Sequence, residues 1–516
     1  MHTRQIVTRV FIRLGIAAIT AASVVACSSG GGGGGGSSSS GSKTLTIGIW
    51  SDLSKPYQNG SAALTYDAFY DPLVHKTAGT YDVTPALATS WSYNSTRTVL
   101  TFNIRKGVTF SDGTPVNAQA IKENIDWGRN PKSGSLVAPW MAPITSVVVK
   151  SPYVVQVNLS GPDALLLPLG LSQPIVSPAA FNRSNLAQDP DGSGPYVLDK
   201  SGTTPGVQYT AVRRNGYWDA SAYSYDTIVY KVISAPTAMV NALRSGQINV
   251  AWIYQDAAAV GSLQQAGYNV TEYESGWNGL MLGDIAGKQI PALASLKVRQ
   301  AINMALDRPA IVKAVEDGQA VPSDQTFAPS SPAYQANGSQ LYPYDVTQAK
   351  KLMAEAGYAN GFSVTIPFFG SGYQYAPVIV QELGAIGIKV TAKDDTTTEL
   401  NQYISDMNTH PYPIVFFEDD PYLHFITDAL VPDGFLNGWH RTSPALTSVM
   451  HQIDVANTPA ALNSAYSQLG SFVLDNAWFA VIDGAPTIFA SAPGIQLPPK
   501  LGDDAGPELS LIQPAK

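Results

Sequence analysis

Three short acidic runs contain the residues of this 516-residue chain that are best suited to catalysis. They are Asp394-Asp395, Glu418-Asp419-Asp420 and Asp503-Asp504. Paired carboxylates perform the acid and base steps of glycoside hydrolysis, so a secreted hydrolase is one interpretation of these runs. However, the chain has no G-x-S-x-G, P-loop or H-E-x-x-H motif. We therefore keep the hydrolase as a remote alternative and predict that the protein is not an enzyme.

Metal and redox chemistry are limited by the small number of suitable ligands. The chain has one cysteine, Cys27, and six histidines, none of which form an H-x-x-x-H pair. These counts exclude structural disulfides, cysteine-based metal clusters and the commonest helical zinc site. A lone histidine such as His440 favours a structural role over a nickel site. We predict neither a metal nor a cofactor.

The composition indicates a packed globular protein without a nucleic-acid partner. Hydrophobic residues make up 45% of the chain, which is enough for a large core. Charged residues make up only 14%, and the net charge is −8. Binding to a phosphate backbone requires a basic surface, so this charge balance argues against nucleic acid.

The N-terminus has the features of an export signal. Residues 1–26 combine arginines with an apolar stretch, 14–26, that is too short to span a bilayer. The stretch ends in V-V-A-C, which resembles the bacterial lipobox and predicts lipidation of Cys27. The alternative is an ordinary signal peptide with an incidental cysteine. Residues 28–42 contain only Ser and Gly, so 27–42 are predicted to form a flexible tether.

Strand and helix patterns alternate along the rest of the chain. Period-two alternation predicts strands over 45–49 and 100–104, and a hairpin over 147–159. Capping signals predict helices that begin at Asp345, Ser443 and Thr458. A helix near 379–386 is predicted to pass into a strand over 387–390. This mixed order favours an α/β fold in which helices cover sheets.

Five segments of the chain carry more specific patterns. They are P-A-L-A-T-S-W at 85–91 with R-K-G-V-T-F-S-D-G-T-P-V at 105–116, G-S-G-P-Y at 192–196, R-N-G-Y-W at 214–218, K-V-R-Q-A-I-N through D-R at 297–308, and E-A-G-Y with N-G-F at 355–362. In this order they resemble the family-5 extracellular solute-binding proteins, which are the oligopeptide-, dipeptide- and nickel-type receptors of ABC importers. The resemblance covers nearly all of the chain after the tether. Most of these residues favour structural roles, and we expect Arg299 to pair with a carboxylate.

The resemblance implies a two-lobed type II periplasmic-binding-protein fold with an extra subdomain in the first lobe and a hinge between the lobes. Lobe one would comprise 43–275 and 480–516, with 61–190 as the subdomain. Lobe two would comprise 276–479. The chain would cross between the lobes near Trp277 and Asn278, where a ligand cleft is also expected on physical grounds.

Peptide receptors of this family hold the α-amino group of the ligand with an aspartate that follows an apolar strand. Here the strand is Ile414 to Phe417, and the acids that follow it are Glu418, Asp419 and Asp420. The segment is shorter than the family pattern by about two residues, so any of the three acids could face the cleft. We expect Asp419 in this role, with contacts from Trp277 and Asn278. Aromatic side chains also give large contact areas, which adds the two candidates Tyr57 and Trp439.

The resemblance implies a monomeric receptor, held by Cys27 on the extracytoplasmic face of a bacterial membrane, that delivers oligopeptides to an ABC permease with cytoplasmic ATPases. The same fold could serve an oligosaccharide, a nickel complex, or a sensor without transport. The residues alone leave these alternatives open.

Overall fold

The structure is a computed structural model that describes residues 43–53, 56, 63–77, 82–133, 135, 137–254, 257–336, 341–398, 400–419, 429–432, 434, 436–499 and 506–515. The predicted signal peptide, Cys27 and the tether lie outside the described residues, as do Tyr57, Asp420 and the Asp503-Asp504 pair.

Strands and helices alternate as the sequence predicts. The strands are β1 (Thr44–Ile49), β2 (Val74–Lys76), β3 (Val83–Pro85), β4 (Ala88–Tyr93), β5 (Val99–Ile104), β6 (Ile144–Ser151), β7 (Val154–Leu159), β8 (Tyr196–Leu198), β9 (Gln208–Arg213), β10 (Thr227–Val232), β11 (Val250–Tyr254), β12 (Asn269–Leu282), β13 (Val321–Pro322), β14 (Ser363–Phe369), β15 (Lys389–Asp395), β16 (Ile414–Asp419), β17 (Phe479–Ser491), β18 (Ile495–Gln496) and β19 (Gln513–Pro514). The α-helices are α1 (Ala63–Phe69), α2 (Ala118–Gly128), α3 (Pro236–Arg244), α4 (Ala257–Gln265), α5 (Leu296–Met304), α6 (Arg308–Val315), α7 (Val346–Glu355), α8 (Ala376–Ala385), α9 (Leu400–Thr409), α10 (Pro444–Val455) and α11 (Pro459–Asp475).

The predicted helix starts are confirmed at the level of single hydrogen bonds. The side chains of Asp345, Ser443 and Thr458 each accept a bond from a backbone N–H in the first turn of α7, α10 and α11. Such caps satisfy donors that a helix start would otherwise leave without a partner. Gly357 ends the α7 turn with φ of 85°, a left-handed conformation that glycine adopts without strain.

The predicted strands are also confirmed, with one difference in length. The hairpin over 147–159 is the antiparallel pair β6–β7. The strand predicted over 387–390 begins at Lys389 and continues to Asp395, because it pairs in parallel with the whole of β14. Asp394 and Asp395 therefore lie at the end of a strand rather than in a separate loop.

The largest sheet of the described residues has nine strands. Its order is β16-β12-β17-β11-β1-β10-β9-β8, with β13 beside β17. The long strands β12 and β17 pair antiparallel. Asn269 lies opposite Ser491 at one end of the pair, and Met281 lies opposite Phe479 at the other. The register shifts between Glu274 and Gly276 and between Asn278 and Gly279. The lobe boundaries predicted after residues 275 and 479 fall within these two strands. The two strands are therefore the segments that would cross between the lobes, and the boundaries themselves stay predictions.

A separate four-stranded sheet lies within the predicted subdomain. Its order is β4-β5-β7-β6, and α2 packs against β6 and β7. Phe102 and Phe110 are fully buried there, as expected for core residues. Asp71 is also buried and accepts hydrogen bonds from Ser193 Oγ at 2.7 Å, Tyr217 Oη at 2.6 Å and Trp218 Nε1 at 3.4 Å. This carboxylate therefore ties the G-S-G-P-Y and R-N-G-Y-W segments together.

Helices cover the sheets in the range predicted for lobe two. Buried apolar residues of α5 and α8, such as Ile302 and Ile379, pack in one core with Ile366 of β14 and Phe416 of β16. None of the helices in the described part of the chain is long and apolar enough to cross a bilayer.

The partner expected for Arg299 is wrong. Its guanidinium is buried and donates to the backbone carbonyls of Leu293, Ala294 and Asn476 rather than to a carboxylate. Burial lowers the pKa of Arg299 from its ordinary value. Carbonyls in a short 3-10 helix, Pro291–Ala294, and at the end of α11 satisfy the planar donors without a second buried charge.

Candidate ligand-binding site

The backbone register brings four of the predicted site residues to one end of the β12–β16 ladder. Asp419 lies opposite Trp277, and Glu418 lies opposite Asn278. On the other side of β12, Asn278 lies opposite Asp483 of β17. Glu418 and Asp419, at the end of β16, therefore lie beside the part of β12 that also pairs with β17. The structure describes the backbone of Glu418 and Asp419 but not their side chains.

Trp277 is a core residue in this conformation. Its side chain is 1% exposed. It contacts Phe479 edge to face, with ring centroids 5.5 Å apart, and Phe417 at 6.4 Å. Edge-to-face geometry is one of the favoured arrangements of aromatic rings. A ligand contact from Trp277 would require these rings to separate, so its predicted role stays a prediction.

Asn278 belongs to a buried polar cluster with Tyr375, Glu316 and Asp483, which we call the tyrosine–carboxyl cluster. Asn278 Nδ2 donates to Tyr375 Oη at 3.0 Å and to Asp483 Oδ1 at 2.9 Å. Tyr375 Oη lies 2.7 Å from Glu316 Oε1 and 3.0 Å from Asp483 Oδ2. All four residues are less than 10% exposed.

If Glu316 and Asp483 were both ionised, the tyrosine–carboxyl cluster would have one proton too few for the two short contacts of Tyr375 Oη. A phenol has a single proton, so Tyr375 donates to only one of its two carboxylate neighbours. The other short oxygen–oxygen contact is favourable only if a carboxyl group is protonated. Consistent with this count, burial raises the pKa of Glu316. Burial and the charges of Asp483 and Glu316 raise the pKa of Tyr375 far above its ordinary value, so the phenol keeps its proton.

The sequence analysis missed three members of this cluster. Asp483 follows the apolar run Phe479 to Ile482, which is the same signal that identified Glu418 after Ile414 to Phe417. Glu316 and Tyr375 have no comparable signal, because they reach the cluster from the end of α6 and the start of α8.

Trp439 lies away from the other candidates. Its Nε1 donates to the Tyr412 carbonyl at 2.8 Å. Its ring also covers Gly283, where an added Cβ would lie 2.4 Å from Trp439 Cδ1. Gly283 and Tyr412 flank the Leu282–Ile414 end of the ladder, opposite to the end that holds Trp277. The structure therefore does not bring Trp439 together with the predicted acids.

The other chemical candidates have structural partners. Asp394 accepts from Thr396 N at 3.0 Å and from Thr396 Oγ1 at 2.7 Å, while Asp395 pairs with Lys393. His440 Nδ1 lies 2.8 Å from the Pro432 carbonyl. Within the described ranges, no three His, Cys, Asp or Glu side chains are grouped as a metal site requires.

Comparison with known proteins gives the family. Residues 82–445 match the family described as bacterial extracellular solute-binding proteins, family 5 Middle. The chain belongs to this family. Its members are binding proteins, in line with the motifs at 85–116 and 297–308.

The similar proteins include a glutathione-binding protein, GsiB, from Escherichia coli O1:K1 / APEC. It is 30% identical over 321 residues, which are 60% of this chain and 60% of the relative. The aligned region thus spans less than two thirds of that relative's length.

Two solved structures share the fold over 92% of this chain. One is the periplasmic binding protein DppA from Helicobacter pylori in complex with the peptide STSA, with a TM-score of 0.75, 21% identity and 98% of that chain covered. The other is NikA from Brucella suis in complex with Fe(III)-EDTA, with a TM-score of 0.74, 23% identity and 100% of that chain covered. The expected two-lobed type II periplasmic-binding-protein fold is confirmed.

Proposed function

We propose that this protein is the extracytoplasmic receptor of an ABC importer and that it captures oligopeptides in a cleft at the Trp277–Asp419 end of the β12–β16 ladder. Family membership supports the receptor function. The observation that carries the position of the site is the register, which sets Glu418 and Asp419 beside the paired strands β12 and β17. A ligand held there would contact the segments that join the two lobes.

The charge of this edge favours a cationic group on the ligand. Glu418 and Asp419 end an apolar strand, and the sequence adds Asp420 directly after them. A free peptide has an ammonium group, which is costly to bury unless a carboxylate compensates its charge. Asp419 receives this group in our proposal, with Glu418 and Asp420 as the alternatives.

The ligands named for the similar proteins support a small, polar solute. Glutathione and the peptide STSA are peptides, whereas Fe(III)-EDTA is a metal chelate. Mass spectrometry of the material released when the purified protein is denatured tests the ligand class directly. Recovery of a peptide supports the proposal, and recovery of an oligosaccharide or a metal chelate contradicts it.

The position of the ammonium group is tested by calorimetry on matched peptides with free and N-acetylated termini. Loss of one partner of a buried charge pair costs ~2–5 kcal/mol, or about thirty- to several-thousand-fold in affinity. Asp419→Asn should therefore weaken free peptides by this factor and acetylated peptides much less. Asp406→Asn, the same change on the surface of α9, is the control. Equal losses for both peptides would remove Asp419 from this role.

The membrane attachment rests on Cys27, which lies outside the described residues. A single acyl chain binds a bilayer only marginally, so firm attachment requires several chains, as a lipobox cysteine receives in bacteria. Cys27→Ser should release the folded protein from the membrane fraction. A variant that remains membrane-bound would show that the lipoprotein assignment is wrong.

A further inference from the structure

The candidate site continues from Asp419 along a single row of the large sheet. The register sets Trp277 of β12 opposite Asp419 on one side and opposite Gly484 of β17 on the other. Gly484 in turn lies opposite Val321 of β13. These pairs are antiparallel, and residues directly opposite each other in such pairs place their side chains on the same face of the sheet. Trp277 and Val321 therefore rise from one face, with Gly484 between them.

The tyrosine–carboxyl cluster identifies which face this is. Asn278 and Asp483 form the next row, and both side chains belong to that cluster. Successive residues of a strand point to opposite faces. The row of Gly484 therefore belongs to the other face of the sheet, on which the Trp277 ring contacts Phe479.

Neither the backbone nor the packing requires glycine at position 484. Its φ lies outside the positive range that favours glycine. Among the described residues, an added Cβ would meet only the carbonyl oxygens of Gly276 and Val321, each at 3.9 Å, which is an ordinary contact distance. Gly279 of β12 is different, because an added Cβ there would lie 2.6 Å from the Ala480 carbonyl oxygen. Position 484 therefore has room for a side chain that it does not itself supply.

Glycine inside a strand has a recognisable use. It weakens the strand, and it often marks a place where a ligand or another backbone approaches closely. At Gly279 the Ala480 backbone is that close neighbour. At Gly484 no described backbone atom comes as close, so the room in this row is available to a ligand.

The room at Gly484 opens to solvent on the side of β13. Trp277 is 1% exposed, Gly484 is partly exposed, and Val321 is 66% exposed. An exposed valine is stabilised when an apolar group covers it, because apolar surface is then removed from water. None of these three residues has a charge. The open part of the row therefore favours an apolar group over a charged one.

We propose that Gly484 and Val321 form a subsite for the side chain of the ligand's first residue, so that the receptor prefers peptides that begin with a large apolar residue. This rests on the proposed function, in which the ammonium group of the peptide lies at Asp419. Gly484 is two strands away from β16, at a distance of about 10 Å. An ammonium–carboxylate contact of about 2.8 Å, together with the aspartate and leucine side chains on either side of it, spans this distance.

Calorimetry on three free peptides measures the preference. They are trialanine and the same peptide with leucine or with phenylalanine as the first residue. We expect the wild type to bind the leucine and phenylalanine peptides about tenfold more tightly than trialanine, because the larger side chains cover more apolar surface over Gly484 and Val321.

Filling the subsite should remove this preference. Gly484→Leu places a side chain in the room, so we expect it to bind the leucine peptide about tenfold more weakly than the wild type does and trialanine within about twofold. Gly261→Leu is the control, because Gly261 lies on the exposed surface of α4 and an added Cβ there has no described neighbour within 4 Å. It should keep the full preference.

A second pair of variants tests the exposed wall. Val321→Thr keeps the shape of the side chain but replaces a methyl by a hydroxyl, so the preference for leucine over alanine should fall about threefold. Val207→Thr is the control, because Val207 is 60% exposed and precedes β9, away from this row. It should leave the preference unchanged.

Equal wild-type affinities for the three peptides would overturn the subsite, and this measurement decides even if Gly484→Leu fails to fold. A tenfold preference that persists in Gly484→Leu, or one that is lost in Gly261→Leu, would also overturn it. These results leave the oligopeptide function intact, since each chain still binds peptide. Binding of none of the three peptides by the wild type contradicts the oligopeptide function, and the subsite with it.

Discussion

Two groups of buried carboxyls in this protein are stabilised in different ways. In the subdomain, Asp71 accepts from three donors, Ser193, Tyr217 and Trp218. In the tyrosine–carboxyl cluster, Glu316 and Asp483 share the single hydroxyl of Tyr375. Asp71 thus has three donors of its own, whereas Glu316 and Asp483 each have one amide donor, Gln374 and Asn278, and both contact the one phenol proton of Tyr375. The two groups therefore differ in whether a carboxyl group has its hydroxyl donors to itself or shares one with a second carboxyl group.

The charges near the two groups increase this difference. Burial raises the pKa of both Asp71 and Glu316. At Asp71 the three donors and the cation Arg214 oppose the rise. At Glu316 Tyr375 opposes the rise, and the neighbouring Asp317 adds to it. More neighbouring groups therefore oppose the rise in pKa at Asp71 than at Glu316.

The largest difference in the free energy of unfolding is expected between two variants that each replace a carboxylate by an amide. Asp71→Asn turns an amide N–H towards groups that donate, so we expect a loss of about 2–4 kcal/mol in the free energy of unfolding. Glu316→Gln should cost less, about 1 kcal/mol, because its amide supplies the missing proton to Tyr375 Oη and gives up only the bond from Gln374 Nε2. Denaturant titration at pH 7.5 measures both. Similar losses in the two variants would contradict the distinction between them.

A second pair of variants removes one hydroxyl from each group. Tyr375→Phe leaves Glu316 and Asp483 without their shared donor, and we expect a loss of about 2 kcal/mol in the free energy of unfolding. Tyr217→Phe leaves Asp71 with two donors and should cost about 1 kcal/mol. Thermal or denaturant unfolding under the same conditions gives the order. A larger loss in Tyr217→Phe would show that the subdomain group depends more strongly on its tyrosine.

The smallest effect is a difference in pH dependence. The folded-state pKa of Glu316 is raised, so its contribution to stability is fully present below about pH 4, its ordinary range, and is lost as the pH rises through the raised value. Relative to Glu316→Gln, the wild type should therefore lose stability as the pH rises from below 4 to above the raised value, by ~1.4 kcal/mol for each unit by which the pKa is raised. Parallel stability curves for the two chains would contradict protonation of Glu316.

Local features of the fold were predictable from the sequence because their causes are local. Ser443 and Thr458 begin helices through bonds that span three residues, and Gly357 ends one through its own φ. The order of the strands depends instead on partners far apart in the chain. No local pattern predicts that β17 lies between β12 and β11. The resemblance to a family supplied the two-lobed fold that periodicity alone leaves undetermined.

The candidate site was predictable in part for the same reason. An apolar strand followed by acids identified Glu418 and Asp419, and the register places them beside Trp277 and Asn278. Asn278, however, is occupied by Tyr375 and Asp483, and Trp439 packs on Gly283 at the other end of the ladder. Side-chain type alone does not distinguish an aromatic ring that faces a cleft from one that packs on a glycine.

The place of β17 in the large sheet has a consequence for the order of folding. This strand, Phe479–Ser491, pairs on one side with β12 and on the other with β11, both of which precede it by about two hundred residues. During synthesis, the edges of β11 and β12 that pair with β17 are not covered until residue 491 has left the ribosome. Pairing across such long sequence separations is slow, and uncovered strand edges promote association between chains. Stalled or truncated chains that lack β17 would thus expose two open edges, so this receptor depends on completing its synthesis before its central sheet closes.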